Sequence, residues 1–240
     1  MTPKELFDES YYLLDRLIGE AYNLKPPRGQ DTVRSAFVYR HARNVMDIAT
    51  DVRLLYVLKR YTAAQIAIRS MLESMFCVAA AVKLPEFAPE KIISEFETIA
   101  DKVGKIDKVE WSVELGKTRD LLLSMAADLR KEFGVTTTNK WSVFDTARVG
   151  KLQHHYATNY LTLSSHVHAS TGAIIFQEKR SGVGDAYHSA VVALLITAGH
   201  FAQLVETKDN QGHLDKATKL VLELAEEPMQ LAFRAIGSDQ

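Results

Sequence analysis

Apolar residues recur at helical spacing along most of the chain. In the second periodic stretch one face carries seven residues, at i, i+4, i+7, i+8, i+11, i+15 and i+18: Phe37, His41, Asn44, Val45, Ile48, Val52 and Leu55. These offsets are those of a helix with 3.6 residues per turn. Prolines and glycines fall where the periodic stretches stop, so they mark helix ends. The pattern therefore predicts helices and no strands.

The breaks divide the chain into seven to nine helices. We place them at about 3–24, 31–60, 61–82, two between 89 and 134 with a break near 104–109, 142–147, 153–169, 186–205 and 214–235. No repeat or long linker separates these helices. The sequence therefore predicts an all-α fold, a single helical bundle that forms one domain over residues 1–240.

Composition narrows the class of protein. The 240 residues are 47% hydrophobic and 25% charged with a net charge of −1, which excludes a disordered chain and a global attraction to nucleic acid. A lone cysteine, Cys77, cannot form an intrachain disulfide, and the N-terminal residues lack a signal-peptide pattern, so we expect a cytoplasmic protein.

Residues 186–205 carry no formal charge, but histidine, serine, threonine and glutamine interrupt them. A buried bundle helix, and no membrane span, is expected there.

The third helix carries the most informative charges. Between Tyr61 and Val82 only Arg69 and Glu73 are formally charged. Their spacing of four places them on one helix face together with Ile66 and Phe76, which predicts an ion pair directed into an apolar interior. Such a pair is costly unless further hydrogen bonds complete it. Two interpretations stay open: a functional cluster, or a pair that fixes the register of this helix.

A second polar group lies between Tyr156 and Ser170. A helical projection directs Tyr160, Ser164 and His168 inward and places Asn159 and His166 on the outer side. An inward histidine needs a partner for each ring nitrogen. We therefore expect His168 to be either a core histidine bonded to its neighbours or part of a site with Arg69 and Glu73.

The sequence offers little for metal, cofactor or serine-hydrolase chemistry. His166 and His168 lie about 200° apart on a helix, and no His-x-x-His or His-Glu-x-x-His spacing occurs. We expect neither a metal nor a cofactor, although ligands from different helices, such as Glu73 with His168, remain an alternative. A Gly-x-Ser-x-Gly turn and a glycine-rich phosphate loop are also missing from the sequence.

A local cluster of basic residues follows the first helix. Residues 25–43 contain five lysines and arginines against one acid, Asp31. We expect Arg34, Arg40 and Arg43 to form the surface that would contact the phosphates of RNA. The alternative is an ordinary solvated face.

Two motifs carry a family resemblance. Arg69-Ser70-x-x-Glu73 and Tyr160-Leu-x-Leu163-Ser164-x-x-x-His168-x-Ser170 resemble a family of helical bacterial proteins of unknown function, over about residues 35 to 175. The resemblance implies a helical fold and no established activity. It selects Arg69, Glu73, Ser164, His168 and Ser170.

A remoter resemblance is to HEPN proteins, helical bundles found in prokaryotic defence and toxin systems, some of which cut RNA without a metal. Arg148 and His154 match the spacing of their Arg-and-His signature, with five residues between them. This resemblance implies RNA cleavage by arginine and histidine. A looser version brings Arg69, Glu73 and His168 together from different helices.

Two hypotheses of function follow. In the first, Arg69, Glu73, Ser164 and His168 form the catalytic site of a metal-independent ribonuclease, or the site of a nucleic-acid-binding protein, in a prokaryotic defence or toxin system. His168 would act as general acid or base, and Arg69 would stabilise phosphate charge. In the second, the same residues are structural, and the outer surface binds a protein partner or a second copy in a homodimer.

Overall fold

The computed structural model describes residues 3–22, 31–106, 112–167 and 182–205. In these ranges 89% of the residues are helical, no strand occurs, and eight helices are formed. The expectation of an all-α bundle of seven to nine helices is confirmed. The helix expected at 214–235 lies outside the described residues.

The eight helices follow the predicted order, and their ends lie close to the predicted ones. They are α1 (Pro3–Tyr22), α2 (Asp31–Val57), α3 (Tyr61–Lys83), α4 (Phe87–Ile106), α5 (Ser112–Phe133), α6 (Val143–Val149), α7 (153–167) and α8 (Gly182–Val205). Helix α7 is continuous but changes type along its length. Its α-helical ends, Gln153–His155 and Leu161–Val167, flank a π-helical turn over Tyr156–Tyr160.

Helix α3 is the centre of the bundle, as its apolar composition predicts. It packs against α2, α6, α7 and α8, and every residue from Ser74 to Ala81 is buried. By length and composition α3 is the one described helix that could cross a membrane, and 61% of its apolar window is buried inside the protein. Core helices of soluble proteins meet the same criteria, so these two properties do not assign α3 to a membrane.

Helix α8 supplies the second apolar layer. It packs against α1, α2 and α3, and Leu194, Ala198 and Phe201 are buried in these contacts. The described part of the uncharged stretch 186–205 is therefore a packed helix of the bundle, with Thr197 fully buried among its apolar residues.

Helix α6 approaches α3 unusually closely at its C-terminal end. Ser142 caps α6, since its Oγ accepts a hydrogen bond from the backbone N–H of Asp145 at 3.0 Å. After α6 ends, Gly150 lies against Ala79 and Ala80. A Cβ at position 150 would lie 2.9 Å from the Cβ of Ala79 and 3.2 Å from the backbone nitrogen of Ala80. Glycine is thus needed here for close approach.

Helices α4 and α5 form an antiparallel hairpin that extends from the bundle. The buried residues Phe87, Ala88 and Pro89 attach the start of α4. Between the two helices, Arg130 donates from Nη2 to Oε1 of Glu97 at 2.6 Å. Among the described helices, α5 makes its extensive contacts with α4 alone. Much of the surface of α5 is therefore left to solvent.

The contact at Gly150 predicts a specific stability effect. We expect Gly150→Ala to lower the free energy of unfolding by about 1–3 kcal/mol, because the methyl group would force α6 away from α3. At Gly116, inside α5, an added methyl group would have no atom within 4 Å. Gly116→Ala is the matched control and should raise stability by about 0.5–1 kcal/mol. Urea unfolding followed by circular dichroism measures both, and equal effects of the two changes would contradict the assigned contact.

Candidate functional site

Three polar side chains from two helices meet at one point on the bundle. Tyr160 of α7 accepts hydrogen bonds at its hydroxyl from Nε of Arg69 at 3.1 Å and from Nη2 at 2.9 Å. The same hydroxyl donates to Oε1 of Glu73 at 2.7 Å. The direct contact between Arg69 Nη2 and Glu73 Oε1 is longer, 3.5 Å. We call Arg69, Glu73 and Tyr160 the Arg–Tyr–Glu cluster.

Sequence analysis placed Tyr160 on the inward stripe but did not include it among the site residues. The structure makes it the central member of the cluster. The signal was present in the sequence, because Tyr160 precedes Ser164 by four residues on the same helix face. A phenol hydroxyl can accept from a guanidinium and donate to a carboxylate at the same time.

The π-helical turn sets the orientation of α7. The N–H of Leu161 bonds to the carbonyl of Tyr156, five residues back, so the turn contains one more residue than an α-helical turn. Asn159 and Tyr160 are therefore both buried. The sequence-based projection placed Asn159 on the outer side, which was wrong because it assumed 3.6 residues per turn throughout.

Aromatic rings hold Tyr160 in position. Its ring stacks on that of Tyr156, with centroids 5.2 Å apart and planes inclined by 20°, and it meets Phe76 of α3 edge-on at 6.1 Å. Tyr156 in turn meets Phe144 of α6 at 5.2 Å. This packing joins α3, α6 and α7, and it fixes the hydroxyl of Tyr160 between the two charged groups.

The Arg–Glu pair is not buried, in contrast to the sequence-based expectation. The side chains of Arg69 and Glu73 are 25% and 41% exposed. Ile66, expected on the same apolar face, is 45% exposed. The reason is tertiary: the neighbours of α3 enclose residues 74–81 completely but leave the face before them partly open to solvent. The cluster is thus fixed by its hydrogen bonds and still reachable from outside.

The electrostatics keep both Arg69 and Tyr160 in their ordinary protonation states. Burial raises the pKa of Tyr160, and the hydrogen bond to Glu73 adds to this, while Arg69 opposes it. The hydrogen bond to Tyr160 is the main cause of a raised pKa of Arg69. Tyr160 is therefore a neutral donor at pH 7, and Arg69 is a fixed cation.

The remaining predicted site residues follow along α7. Ser164 lies one turn beyond Tyr160 and is half-buried, and it forms no hydrogen bond with the cluster in the described part of the chain. His168 and Ser170 lie outside the described residues. The structure therefore brings Arg69 and Glu73 together as predicted and adds Tyr160.

Arg148 and His154 occupy different helices. Arg148 lies in the last turn of α6 and pairs with Asp145 at 3.0 Å, whereas His154 is exposed in the first turn of α7. Between them Gly150 packs on α3, and Lys151 has a positive φ of 59°. The two side chains thus project from separate helices that are joined by a turn.

The predicted basic surface divides into two parts. Arg34 donates from Nε to the carbonyl of Ala81 at 2.7 Å and from Nη2 to that of Val82 at 2.6 Å. It therefore caps the C-terminal end of α3, where carbonyl groups lack helical partners. Arg40 and Arg43 are exposed on α2.

The described residues contain no group of three histidine, cysteine or acidic side chains that could hold a metal ion. The Arg–Tyr–Glu cluster itself offers a fixed cation, a neutral hydroxyl donor and a carboxylate. No protein-family model, curated protein or solved structure matches the chain. The arrangement of its own side chains therefore carries the functional argument.

The bridging hydroxyl predicts a stability effect at Tyr160. We expect Tyr160→Phe to lower the free energy of unfolding by about 1–2 kcal/mol, because it removes hydrogen bonds to two charged groups and leaves only the longer Arg–Glu contact. Tyr156 keeps its ring in the same stack, and its hydroxyl has no hydrogen-bond partner among the described residues. Tyr156→Phe, the matched control, should change stability by less than about 0.5 kcal/mol. Chemical unfolding would contradict the bridge if both variants matched the parent.

Proposed function

We propose that the protein binds RNA and cleaves it without a metal ion at the Arg–Tyr–Glu cluster, with Ser164 and His168 contributed by the chain that continues from Tyr160. One observation carries the proposal. Arg69 is held by two hydrogen bonds to Tyr160 and remains 25% exposed. A guanidinium that is both fixed and accessible is suited to bind a phosphate and to stabilise charge that develops on it.

In this proposal, two nitrogen donors of Arg69 bond to the protein itself and the third bonds to the ligand. Its Nε and Nη2 are bonded to Tyr160, and Nη1 has no acceptor among the described residues. Nη1 is therefore the group assigned to a phosphate oxygen. Glu73 keeps Tyr160 oriented, and through it Arg69, since the tyrosine hydroxyl donates to the carboxylate. Ser164, one turn further along α7, supplies a further hydrogen bond.

His168 is the proposed general base. It takes the proton from a ribose 2′-hydroxyl as that oxygen bonds to phosphorus. The bond from phosphorus to the 5′-oxygen then breaks, and water gives a proton to the departing oxygen. The products are a 2′,3′-cyclic phosphate and a free 5′-hydroxyl. No metal ion is required in this sequence of steps.

The contact with the rest of the RNA is assigned to the basic surface of α2. Arg40 and Arg43 are exposed, and Arg34 lies nearer the bundle at the end of α3. Helix α2, which carries these arginines, packs directly against α3, which carries Arg69 and Glu73.

The test is cleavage of single-stranded RNA in the presence of EDTA. The parent protein should produce fragments that end in 2′,3′-cyclic phosphate. His168→Ala and Arg69→Lys should each reduce the rate by about 100-fold or more, because one removes the base and the other removes the forked donor. His188→Ala is the control, since this exposed histidine lies on α8, outside the proposed machinery, and should keep full activity.

The outcomes separate the hypotheses. Full activity in folded His168→Ala would refute the assigned site. Loss of activity in His154→Ala or Arg148→Ala, with His168→Ala active, would assign cleavage to the HEPN-like pair. Complete absence of cleavage by the parent would favour the non-catalytic alternative.

That alternative, an oligomerisation module, has its own support on α5. Leu121 and Met125 are 61% and 41% exposed on consecutive turns. In an antiparallel pairing of α5 with α5 of a second copy, Leu121 would meet Met125 of that copy, and Lys117 would lie beside its Asp128. Lys117 at one end of this stripe and Asp128 at the other have opposite charges, so two antiparallel copies would pair each lysine with an aspartate. This pairing favours a homodimer.

Sedimentation velocity measures this prediction. The parent should sediment as a dimer at micromolar concentration, and Leu121→Asp should shift it to a monomer with the helical content unchanged. Ala127→Asp introduces the same charge at an exposed position of α5 that lies about 120° around the helix from Leu121, outside the stripe, and it should remain dimeric. A monomeric parent would contradict the dimer.

A further inference from the structure

A cleft separates α2 from α4 beside the basic surface. Its volume is about 730 Å³, within the range of about 300–1,000 Å³ typical of small-molecule sites. Helix α2 contributes Phe37, Arg40 and Asn44, and α4 contributes Ile92 and Phe96. The walls thus combine apolar and aromatic groups with a few polar ones.

One of the two arginines that line the cleft has no carboxylate partner among the described residues. Arg43 pairs with Asp47 at 3.5 Å, and Lys91 pairs with Glu95 at 3.4 Å. Arg40 is exposed and has no carboxylate within 4 Å among the described residues. A planar guanidinium at the mouth of a cleft matches the oxygen atoms of a phosphate.

The walls are suited to a flat ring. Phe96 is half-buried and has no aromatic partner in the described part of the chain. Across the cleft, His41 lies against Phe37 with ring centroids 4.4 Å apart. Burial is the main cause that lowers the pKa of His41 to about 4, so its imidazole is uncharged at pH 7. Two unsaturated rings without charge therefore face the cleft, and base–aromatic stacking does not depend on the identity of the base.

Asn44 adds a directional group. Its Nδ2 donates to Oγ of Ser74 at 2.8 Å, which fixes the amide from one side. The Oδ1 atom is left as an acceptor, since it has no other hydrogen bond among the described residues. An N–H group on a heterocyclic ring is the donor that such an oxygen would accept.

We propose that the cleft between α2 and α4 binds a nucleoside monophosphate unit, with its phosphate on Arg40, its base against Phe96 and His41, and a base N–H on Asn44. The unit is either a free nucleotide or one residue of a single-stranded RNA. In the second case the inference rests on the proposed function, because the cleft then holds one nucleotide of the RNA that the protein cleaves. In neither case does nucleotide binding require that the Arg–Tyr–Glu cluster be active.

Isothermal titration calorimetry on the full chain tests the site. AMP, GMP, CMP and UMP are titrated separately, with inorganic phosphate and the matching nucleosides as partial ligands. At least one mononucleotide should bind ten times more tightly than phosphate or its own nucleoside. Arg40→Gln and Phe96→Leu should each weaken that binding by about tenfold, because they remove the phosphate donor and the stacking ring. Lys102→Gln removes an equal charge from α4 outside the cleft and should leave the affinity unchanged.

Thermal unfolding of each variant shows whether it is folded. Absence of binding by all four mononucleotides would overturn the proposal, and so would an affinity that neither cleft substitution alters. Competition with a single-stranded RNA of about ten nucleotides shows whether the natural ligand is a free nucleotide or one nucleotide of an RNA. Displacement of the mononucleotide by this RNA indicates an RNA site, and failure to displace it indicates a free nucleotide.

Binding and cleavage by the parent protein separate this inference from the proposed function. Mononucleotide binding by a protein that does not cleave RNA would leave the cleft assigned and refute the ribonuclease. RNA cleavage without mononucleotide binding would refute the nucleotide site and leave the ribonuclease.

Discussion

The enclosure of α3 by four other helices is the constraint on which the architecture depends. Once residues 74–81 are sealed from water, no charged side chain can be placed there without a large desolvation cost. The charges of this helix accordingly lie outside the sealed stretch: Arg69 and Glu73 precede it, where the surface opens, and Lys83 follows it at the C-terminal end. The close contact of α6 at Gly150 and the small residues Ala79 and Ala80 contribute to the seal, because they let two backbones approach.

Tyr160 resolves the electrostatic problem that remains at the edge of this core. An arginine and a glutamate at 3.5 Å do not satisfy each other fully, and a phenol between them offers each a shorter bond. Its ring meanwhile belongs to the aromatic packing with Phe76 and Tyr156. One residue therefore serves both the apolar interior and the polar surface, and the π-helical turn supplies the backbone geometry that this double role requires.

Four arginines of the protein differ in their bonding partners, although nothing in the sequence distinguishes them. Arg34 satisfies the carbonyls at the end of α3, Arg69 is fixed by Tyr160, and Arg43 faces a nearby carboxylate. Arg40 alone among these four is without such a partner in the described residues. Arg40 is therefore the cation of the α2–α4 cleft that a bound anion would pair with. The accessible guanidinium of Arg69 in the Arg–Tyr–Glu cluster is the second such cation.

The sequence by itself determined the all-α class, the order of the helices, the central position of α3 and the pairing of Arg69 with Glu73, because periodicity and i, i+4 spacing are local properties of a helix. It did not determine the exposure of that pair, the burial of Asn159 or the partner to which each arginine bonds. Each of these depends on which neighbouring helix covers a given face and on one extra residue in a turn. The contacts that decide the exposure of the pair and the role of Arg34 join residues far apart in the chain, 87 positions for Glu73 and Tyr160 and 47 for Arg34 and Ala81, so only the tertiary structure decides them.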